Sequence, residues 1–379
     1  MGKGGAALTK ALTEEERRCL YWLTRMPGFG AVTIDKIWND FQDKTSIYNI
    51  EGRVLQKRGV LRSSQTETFD FFRKSEIRRQ IRDEFNELAA RDIRFVTPFD
   101  REYPQKLQYI SGKPMGLYCK GKLPDNEQPS VAIVGARECS SYGSHVAKVL
   151  GKELSSQGIQ VISGLALGID GAAHRGALEA GKPTFGVLGS GINVCYPREN
   201  YLLYENMEKT GGILSEYGLG EKPRPGNFPM RNRIISGMAD IVIVVEAREK
   251  SGSLITAEIA LEQGKDVFAV PGRITDMLST GCNRLIQSGA FPLLQADDIL
   301  DYFEIKHGKI TGIQEKKQKG LAKKEKKVYI CLDLQPKFIE EIVKESGLPM
   351  HECVGILLDL ELEGYIVQEA NHYYRKNCE

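Results

Sequence analysis

Five short apolar runs recur through the middle of the chain, at 131–134, 159–162, 184–188, 241–245 and 266–270, and each ends at Gly, Ser, Glu or Pro-Gly. Stretches with helical spacing separate them, for example Ser144–Gln157 and Gly252–Gln263. Strands that are apolar throughout, rather than alternating, are buried on both faces, and helices between them make the connections parallel. The pattern predicts an α/β fold with a doubly wound parallel sheet over residues 91–305. Ligands in such sheets bind outside the carboxyl ends of the strands.

Before the sheet, residues 1–90 read as helical. Thr13 followed by Glu14, Glu15 and Glu16 predicts a capped helix start. That helix breaks at Met26-Pro27-Gly28-Phe29-Gly30, and a second begins near Ala31. Helix, P-G-F-G turn, helix is the order of a helix–hairpin–helix, whose turn presents backbone N–H groups to a phosphate. Arg25 is the only cation close to the turn. From 306 to 327 the composition shifts to nine lysines and two glutamates without an apolar face, as expected of a basic linker. Residues 328–379 then read as helices followed by a β-hairpin in GYIVQEANHYYRK, the order of a winged helix. The helix that would enter a groove carries Glu352, Asp359, Glu361 and Glu363. Phosphates repel that charge, so protein contact is expected there rather than sequence-specific duplex binding.

The chemistry lies in the loops at the ends of the apolar runs. VAIVGAR, VISGLALGID, VLGSGINVCYPR, FPMRNRIISG and SGSLITAE are glycine-rich segments with arginines in and between several of them. Glycine lets backbone N–H groups approach an anion, helix N-termini add partial positive charge, and arginine offers a planar fork that suits phosphate. No Walker G-x-x-x-x-G-K-[ST] occurs, VGARECSSYG lacks the G-x-G-x-x-G spacing, and Ser163-Gly164 stand where an acidic ribose ligand belongs. No ATP or nicotinamide cofactor is therefore expected. The loops describe a surface that holds a phosphodiester chain rather than cutting it.

Arg137 follows the first strand at the crevice and is expected on a phosphate, with Asp170 or Glu246 as alternative partners. Arg231 and Arg233 point in different directions from one helical turn, so one faces the crevice and one braces an acid; spacing leaves open which. Asp170 and His174 are four apart, but helix capping by Asp170, with His174 packed on its own turn, is expected rather than metal binding. Glu246 and Glu258 are readable as a catalytic pair or as partners of the arginines. Phe228 or Tyr196 is the candidate for stacking on a base. Bulk composition adds little: a net charge of +2 leaves any nucleic-acid surface to local clustering. Eight scattered cysteines without a C-x-x-C pair predict reduced thiols in a cytoplasmic protein, and no stretch is apolar enough to span a bilayer.

Assembled in order, VGAR, SGLALGIDGAAHRGAL, VLGSGINVCYPREN, SEYGLGEKPRPGNFPMRNRIISG, VVEAREKSGSLITAEIALEQGKDVFAVPG and GCNRLIQSGA strongly resemble the DNA-processing protein A family (DprA, also called Smf). The resemblance covers about 160 central residues continuously. It implies an extended Rossmann-like domain that binds single-stranded DNA without sequence specificity. It also implies RecA recombinase as a partner loaded onto that DNA, as in natural transformation, together with homodimerisation and no enzymatic activity. An N-terminal module like a sterile alpha motif and a C-terminal winged helix fit the same family. Carried onto this chain, the DNA-contacting candidates are Arg137, Arg198, Arg224, Arg231 and Arg233, with Gly164, Gly189, Gly191, Ser251 and Ser253 giving close backbone or hydroxyl contacts. Leu167 departs from the family, where that position is often basic. Leu285, Ile286 and Phe291, in the stretch 282–291, are the candidate dimer contacts, with burial in the monomer as the alternative. The rival function is a nucleoside-monophosphate phosphoribohydrolase-like Rossmann enzyme. Its P-G-G-x-G-T-x-x-E signature is absent, although SGSLITAE ends in a comparable glutamate.

Overall fold

The structure, a computed structural model, describes residues 11–307, 323–332, 337–363, 365–368 and 372–376. The chain divides into two compact units, Met1–Leu300 and Asp301–Glu379.

The first unit opens with α1 (Glu14–Thr24), α2 (Ala31–Asp40), α3 (Gly52–Lys57), α4 (Ser63–Phe72) and α5 (Ser75–Glu87). Thr13 caps α1 as the sequence suggests: its hydroxyl accepts from the Glu16 N–H while the Glu16 carboxylate accepts from the Thr13 N–H. Trp22, Trp38, Phe69 and Ile37 form the core of these helices. Tyr21 carries that core onto the sheet, with edge-on ring contacts to Phe95 and Tyr118.

Nine strands make one sheet in the order β1-β2-β6-β5-β4-β3-β7-β8-β9. These are β1 (Arg94–Val96), β2 (Leu117–Gly121), β3 (Ser130–Val134), β4 (Gln160–Ser163), β5 (Thr184–Leu188), β6 (Gly212–Ser215), β7 (Ile241–Val244), β8 (Asp266–Ala269) and β9 (Phe291–Pro292). From β6 to β9 every pairing is parallel; β2 joins β6 antiparallel, and β1 joins β2 antiparallel. The intervening helices are α6 (Ser141–Ser156), α7 (Ile169–Glu179), α8 (Tyr201–Thr210), α9 (Asn227–Met238), α10 (Gly252–Glu262), α11 (Thr280–Gln287) and α12 (Asp297–His307).

The five apolar runs are therefore β3, β4, β5, β7 and β8, each wholly or almost wholly buried. The order β5-β4-β3-β7-β8-β9 is that of a Rossmann sheet, and β6, β2 and β1 extend it. Chain direction reverses its winding between β3 and β7. The carboxyl ends of those two strands diverge into loops on opposite sides, leaving a crevice between them.

In the second unit, α13 (Lys323–Ile330), α14 (Ile339–Ser346) and α15 (Met350–Leu362) pack around Val328, Ile342, Cys353, Leu357 and Leu360. A three-stranded sheet, β10 (Lys337–Phe338), β12 (Tyr373–Lys376) and β11 (Ile366–Gln368), completes a winged helix, with β11 and β12 forming the hairpin. Of the lysine-rich stretch 306–327, residues 308–322 lie outside the described residues, and its last five begin α13. No helix of the described residues is long and apolar enough to cross a membrane. The seven described cysteines are free thiols; Cys378 lies outside.

Candidate nucleic-acid interface

The crevice at the switch between β3 and β7 encloses about 410 Å³. Its walls come from the loop after β3 (Arg137, Glu138), the start of α9 (Phe228, Arg231, Asn232) and the loop from β7 into α10 (Arg248, Lys250, Ser251, Ser253). A smaller recess continues it across the ends of β4 and β5, lined by Arg137, Gly164, Leu167, Gly189, Tyr196, Phe228 and Arg231. The sequence thus brings Arg137, Gly164, Gly189, Phe228, Arg231, Ser251 and Ser253 together at the place the topology predicts.

Arg137 is exposed at the crevice mouth and has no acid partner among the described residues; its guanidinium lies over the Phe228 ring at 4.9 Å. Both acids considered for it are otherwise engaged. Glu246 is buried, accepting from the Ser140 N–H at 2.8 Å and the Ser140 hydroxyl at 2.5 Å. Asp170 is buried and accepts from the Gly164 N–H at 3.0 Å. It does not cap α7, as its spacing suggests; Gly168 holds that position, and Asp170 sits in the first turn. The Ala136 N–H beside Arg137 is also spent, because it bonds the Glu246 carbonyl.

Arg231 and Arg233 divide as expected, Arg231 lining the crevice and Arg233 bracing an acid, although Arg231 is itself held by the protein. Arg231 is buried; its Nη1 donates to the Gly164 carbonyl at 2.6 Å and to the Val187 carbonyl. Burial pulls its pKa down to about 10, opposed by the nearby negative charge of Asp170. Burial in turn raises the Asp170 carboxyl, and Arg231 works against that rise. One guanidinium thus ties the ends of β4 and β5 beneath the crevice floor, with its edge lining the cavity. Arg233 pairs with Glu216 at 2.5 Å.

The glycines have a packing reason that precedes any ligand. A Cβ on Gly164 would stand 2.7 Å from both the Arg231 Cζ and the Asp170 Oδ2. One on Gly189 would meet the Phe228 ring at 2.8 Å, and one on Gly191 the Glu221 nitrogen at 2.9 Å. Close approach is real at all three, but the approaching group is protein. Gly252, at the start of α10, has open space where its Cβ would be. Ser251 caps α10, its hydroxyl 2.8 Å from that of Ser253, so both hydroxyls already share a bond.

Phe228 has Arg137 at 4.9 Å, Arg231 at 6.0 Å and the Tyr196 ring at 5.8 Å, and is only partly exposed. Tyr196 is 44% exposed and is the ring open to a base. Arg198 is exposed just beyond it. Arg224 lies apart, loosely paired with Glu221 at 3.5 Å, in a depression shared with the P-G-F-G turn. Arg25, the cation next to that turn in sequence, is bound to Glu84.

Two basic residues of the crevice were not singled out from the sequence: Arg248 and Lys250, both exposed. Their signal was present, as cations immediately before Ser251 in a loop already read as phosphate-holding. His174 bonds Thr184 on β5 at 2.7 Å rather than its own turn, and burial lowers its pKa to about 3. Glu258 is exposed outside the lining, so it makes no pair with Glu246. Among the described residues no cluster of three or more His, Cys, Asp or Glu side chains could hold a metal. The crevice therefore presents four cations, Arg137, Arg231, Arg248 and Lys250, against the exposed Glu138 and the buried Asp170.

A family model described as DNA recombination-mediator protein A matches residues 94–304, and one described as the DprA winged helix domain matches 314–372. The chain is 34% identical over 325 residues to the protein Smf of Synechocystis sp., covering 76% of this chain and 82% of that one. Its fold is similar to the X-ray structure of DNA processing protein A from Streptococcus pneumoniae, with a TM-score of 0.65 and 35% identity over 77% of this chain and 98% of that one. It is also similar to DNA processing protein A from Helicobacter pylori, whose structure concerns a single-stranded DNA binding mode. That match has a TM-score of 0.50 and 29% identity over 55% of this chain and 95% of that one.

Proposed function

The chain belongs to the DNA recombination-mediator protein A family, and from that premise we propose that its switch-point crevice holds single-stranded DNA for delivery to RecA recombinase. The observation that carries this is the set of exposed cations Arg137, Arg248 and Lys250, unpaired among the described residues, around a floor fixed by Arg231. Cations free of acid partners neutralise phosphates and release their counterions, which gives affinity without sequence preference. Tyr196 adds a stacking platform open to any base. Arg198 continues the basic track past Tyr196, and Arg224 continues it toward the P-G-F-G turn. Ser251 and Ser253 meet the strand at the N-terminus of α10, where the helix dipole favours a phosphate. Leu167, 39% exposed in the recess, offers an apolar contact where a base can lie.

In this reading residues 1–90 form a helical module, 91–305 hold the strand and the winged helix from α13 onward contacts protein. Loading RecA onto strands that enter during transformation puts the protein in the cytoplasm. Arg137, Arg231 and Phe228 act by holding, while Glu246 is bound by Ser140 and His174 is buried. A dimer would form through β9 at the sheet edge, where Phe291 and Leu294 are 47% and 76% exposed while Leu285 and Ile286 pack inward. Leu285→Arg would then unfold the protein, whereas Leu294→Arg would give a folded monomer in light scattering.

The test of the main proposal is anisotropy with labelled oligo-dT and matched duplex across a salt series, on wild type and Arg137→Ala. Salt-sensitive preference for the single strand, weakened by the substitution, is the expected result. Absence of binding at low salt, or release of free base from AMP, would move the assignment to the phosphoribohydrolase-like enzyme.

A further inference from the structure

A second cationic groove lies on the N-terminal helices, away from the switch-point crevice. It encloses about 620 Å³ between α1 and α5. Arg78, Arg79 and Arg82 of α5 line it with Arg18 of α1 and the aromatic residues Tyr48 and Phe85. Arg18 is spent on Glu14 and Glu15. Among the described residues Arg78, Arg79 and Arg82 have no carboxylate partner. Arg78 is half-buried, its guanidinium over the Tyr48 ring at 5.4 Å, while Arg79 and Arg82 are exposed. The free acid on the rim is Glu76.

Three unpaired arginines on two successive turns of one helix repel one another, and folding alone gives no reason to hold them beside aromatic rings. From Arg78 to Arg82 the helix advances ~6 Å, which matches forks reaching neighbouring phosphates on one strand. An arginine laid flat on a tyrosine keeps its edge N–H groups free for a phosphate while its face stays packed. A polyanion that also carries flat, apolar bases satisfies both features of the groove, and an acidic peptide satisfies only one.

We propose that this groove is a second binding site for the phosphodiester backbone of single-stranded DNA, engaged when a strand is long enough to leave the crevice. The proposal rests on the crevice being the primary site. The helices of the groove pack on β1 and β2, and β1 stands five strand spacings from β3, ~24 Å across the sheet at ~4.8 Å each. At the ~6 Å between neighbouring phosphates that the arginine spacing matches, roughly four nucleotides separate the two sites. Short strands then occupy the crevice alone, and long strands use both.

The experiment compares oligo-dT of about four and about thirty nucleotides, lengths set by that ~24 Å gap, on wild type, Arg137→Ala and the pair Arg78→Glu/Arg82→Glu. Arg78→Gln/Arg82→Gln guards against effects of reversed charge, and thermal melting checks that each variant is folded. The expected result is unchanged short-strand affinity in both α5 variants. Long-strand affinity should fall, with the salt slope reduced by ~1.4 for two lost phosphate contacts. Equal affinity and slope for the long strand in folded α5 variants would overturn the second site. So would competition by polyglutamate that the α5 substitutions abolish while leaving long-strand binding intact, since that would assign the groove to an acidic protein. Failure of the crevice itself looks different: Arg137→Ala would then leave the short strand bound as tightly as wild type.

Discussion

Replacing Gly164 by alanine puts a methyl group where the buried guanidinium of Arg231 and the carboxylate of Asp170 already sit, 2.7 Å from Cζ and Oδ2. Neither neighbour can move freely. Arg231 Nη1 is bonded to the carbonyls of Gly164 and Val187, and Asp170 accepts the Gly164 N–H. Overpacking of this kind costs ~1–3 kcal/mol, and stranding one of those buried polar groups adds another ~1–3 kcal/mol. A total near 3 kcal/mol lowers Tm by roughly 5 °C in a unit that runs from Met1 to Leu300. Arg231 also supports Phe228 and the crevice floor, so oligo-dT affinity should fall with stability. Gly252→Ala is the matched control, because its Cβ meets open space in the same crevice. Alanine in place of glycine favours a helix by ~0.5–1 kcal/mol, so this variant should melt at or slightly above wild type. Its methyl would still narrow the approach to the α10 N-terminus and weaken DNA binding. Differential scanning fluorimetry and anisotropy on the same preparations separate the two. A Gly164→Ala protein that melts like wild type yet loses DNA would refute the packing argument and make Gly164 a direct strand contact.

Other consequences attach to single groups. Arg137→Ala should leave Tm within a degree or two, since the side chain is exposed, while reducing the salt slope of oligo-dT binding by ~0.7. Tyr196→Ala should cost ~1–3 kcal/mol of oligo-dT affinity if a base stacks there, and Tyr196→Phe should keep most of it; equal affinities in all three proteins would remove the stacking role. His174 is held neutral, its pKa lowered to about 3 against an ordinary 6.5. The unfolded chain therefore takes up a proton that the folded one refuses, and the stability from this group is complete above about pH 6.5. It is lost as pH falls toward about 3, with a limiting slope of about 1.4 kcal/mol per pH unit. Urea midpoints measured from pH 7 down to 4 should show this fall, and His174→Gln should flatten it.

Much of the sheet was legible because its signal is local. Runs such as Val131–Val134 and Ile241–Val244 are apolar at every position, and only burial on both faces explains that. The edge strands β1 and β2 and the short β6 carry no such pattern. Arg94, Lys120 and Gly212 interrupt them, and their places depend on pairing with distant partners. The crevice was legible in outline for the same reason: glycine loops at strand ends mark where the backbone is approached closely. The identity of the approaching group is a matter of tertiary structure. Gly164 and Gly189 make room for Arg231 and Phe228, an exchange across some forty to seventy residues that spacing cannot reveal. Arg231 and Arg233 likewise found carbonyls and Glu216 from other elements. Arg248 and Lys250 were passed over because they precede the glycine-serine turn rather than lying in it.

The most direct test of where the strand lies is photocrosslinking of oligo-dT carrying 5-iododeoxyuridine, with the attached residue identified by mass spectrometry. Attachment at Tyr196, or at Phe228 beside it, that disappears in Arg137→Ala is the result expected of a strand in the switch-point crevice. Attachment confined to the winged helix or the N-terminal helices, with none on peptides spanning 131–140, 189–200 or 226–256, would contradict it.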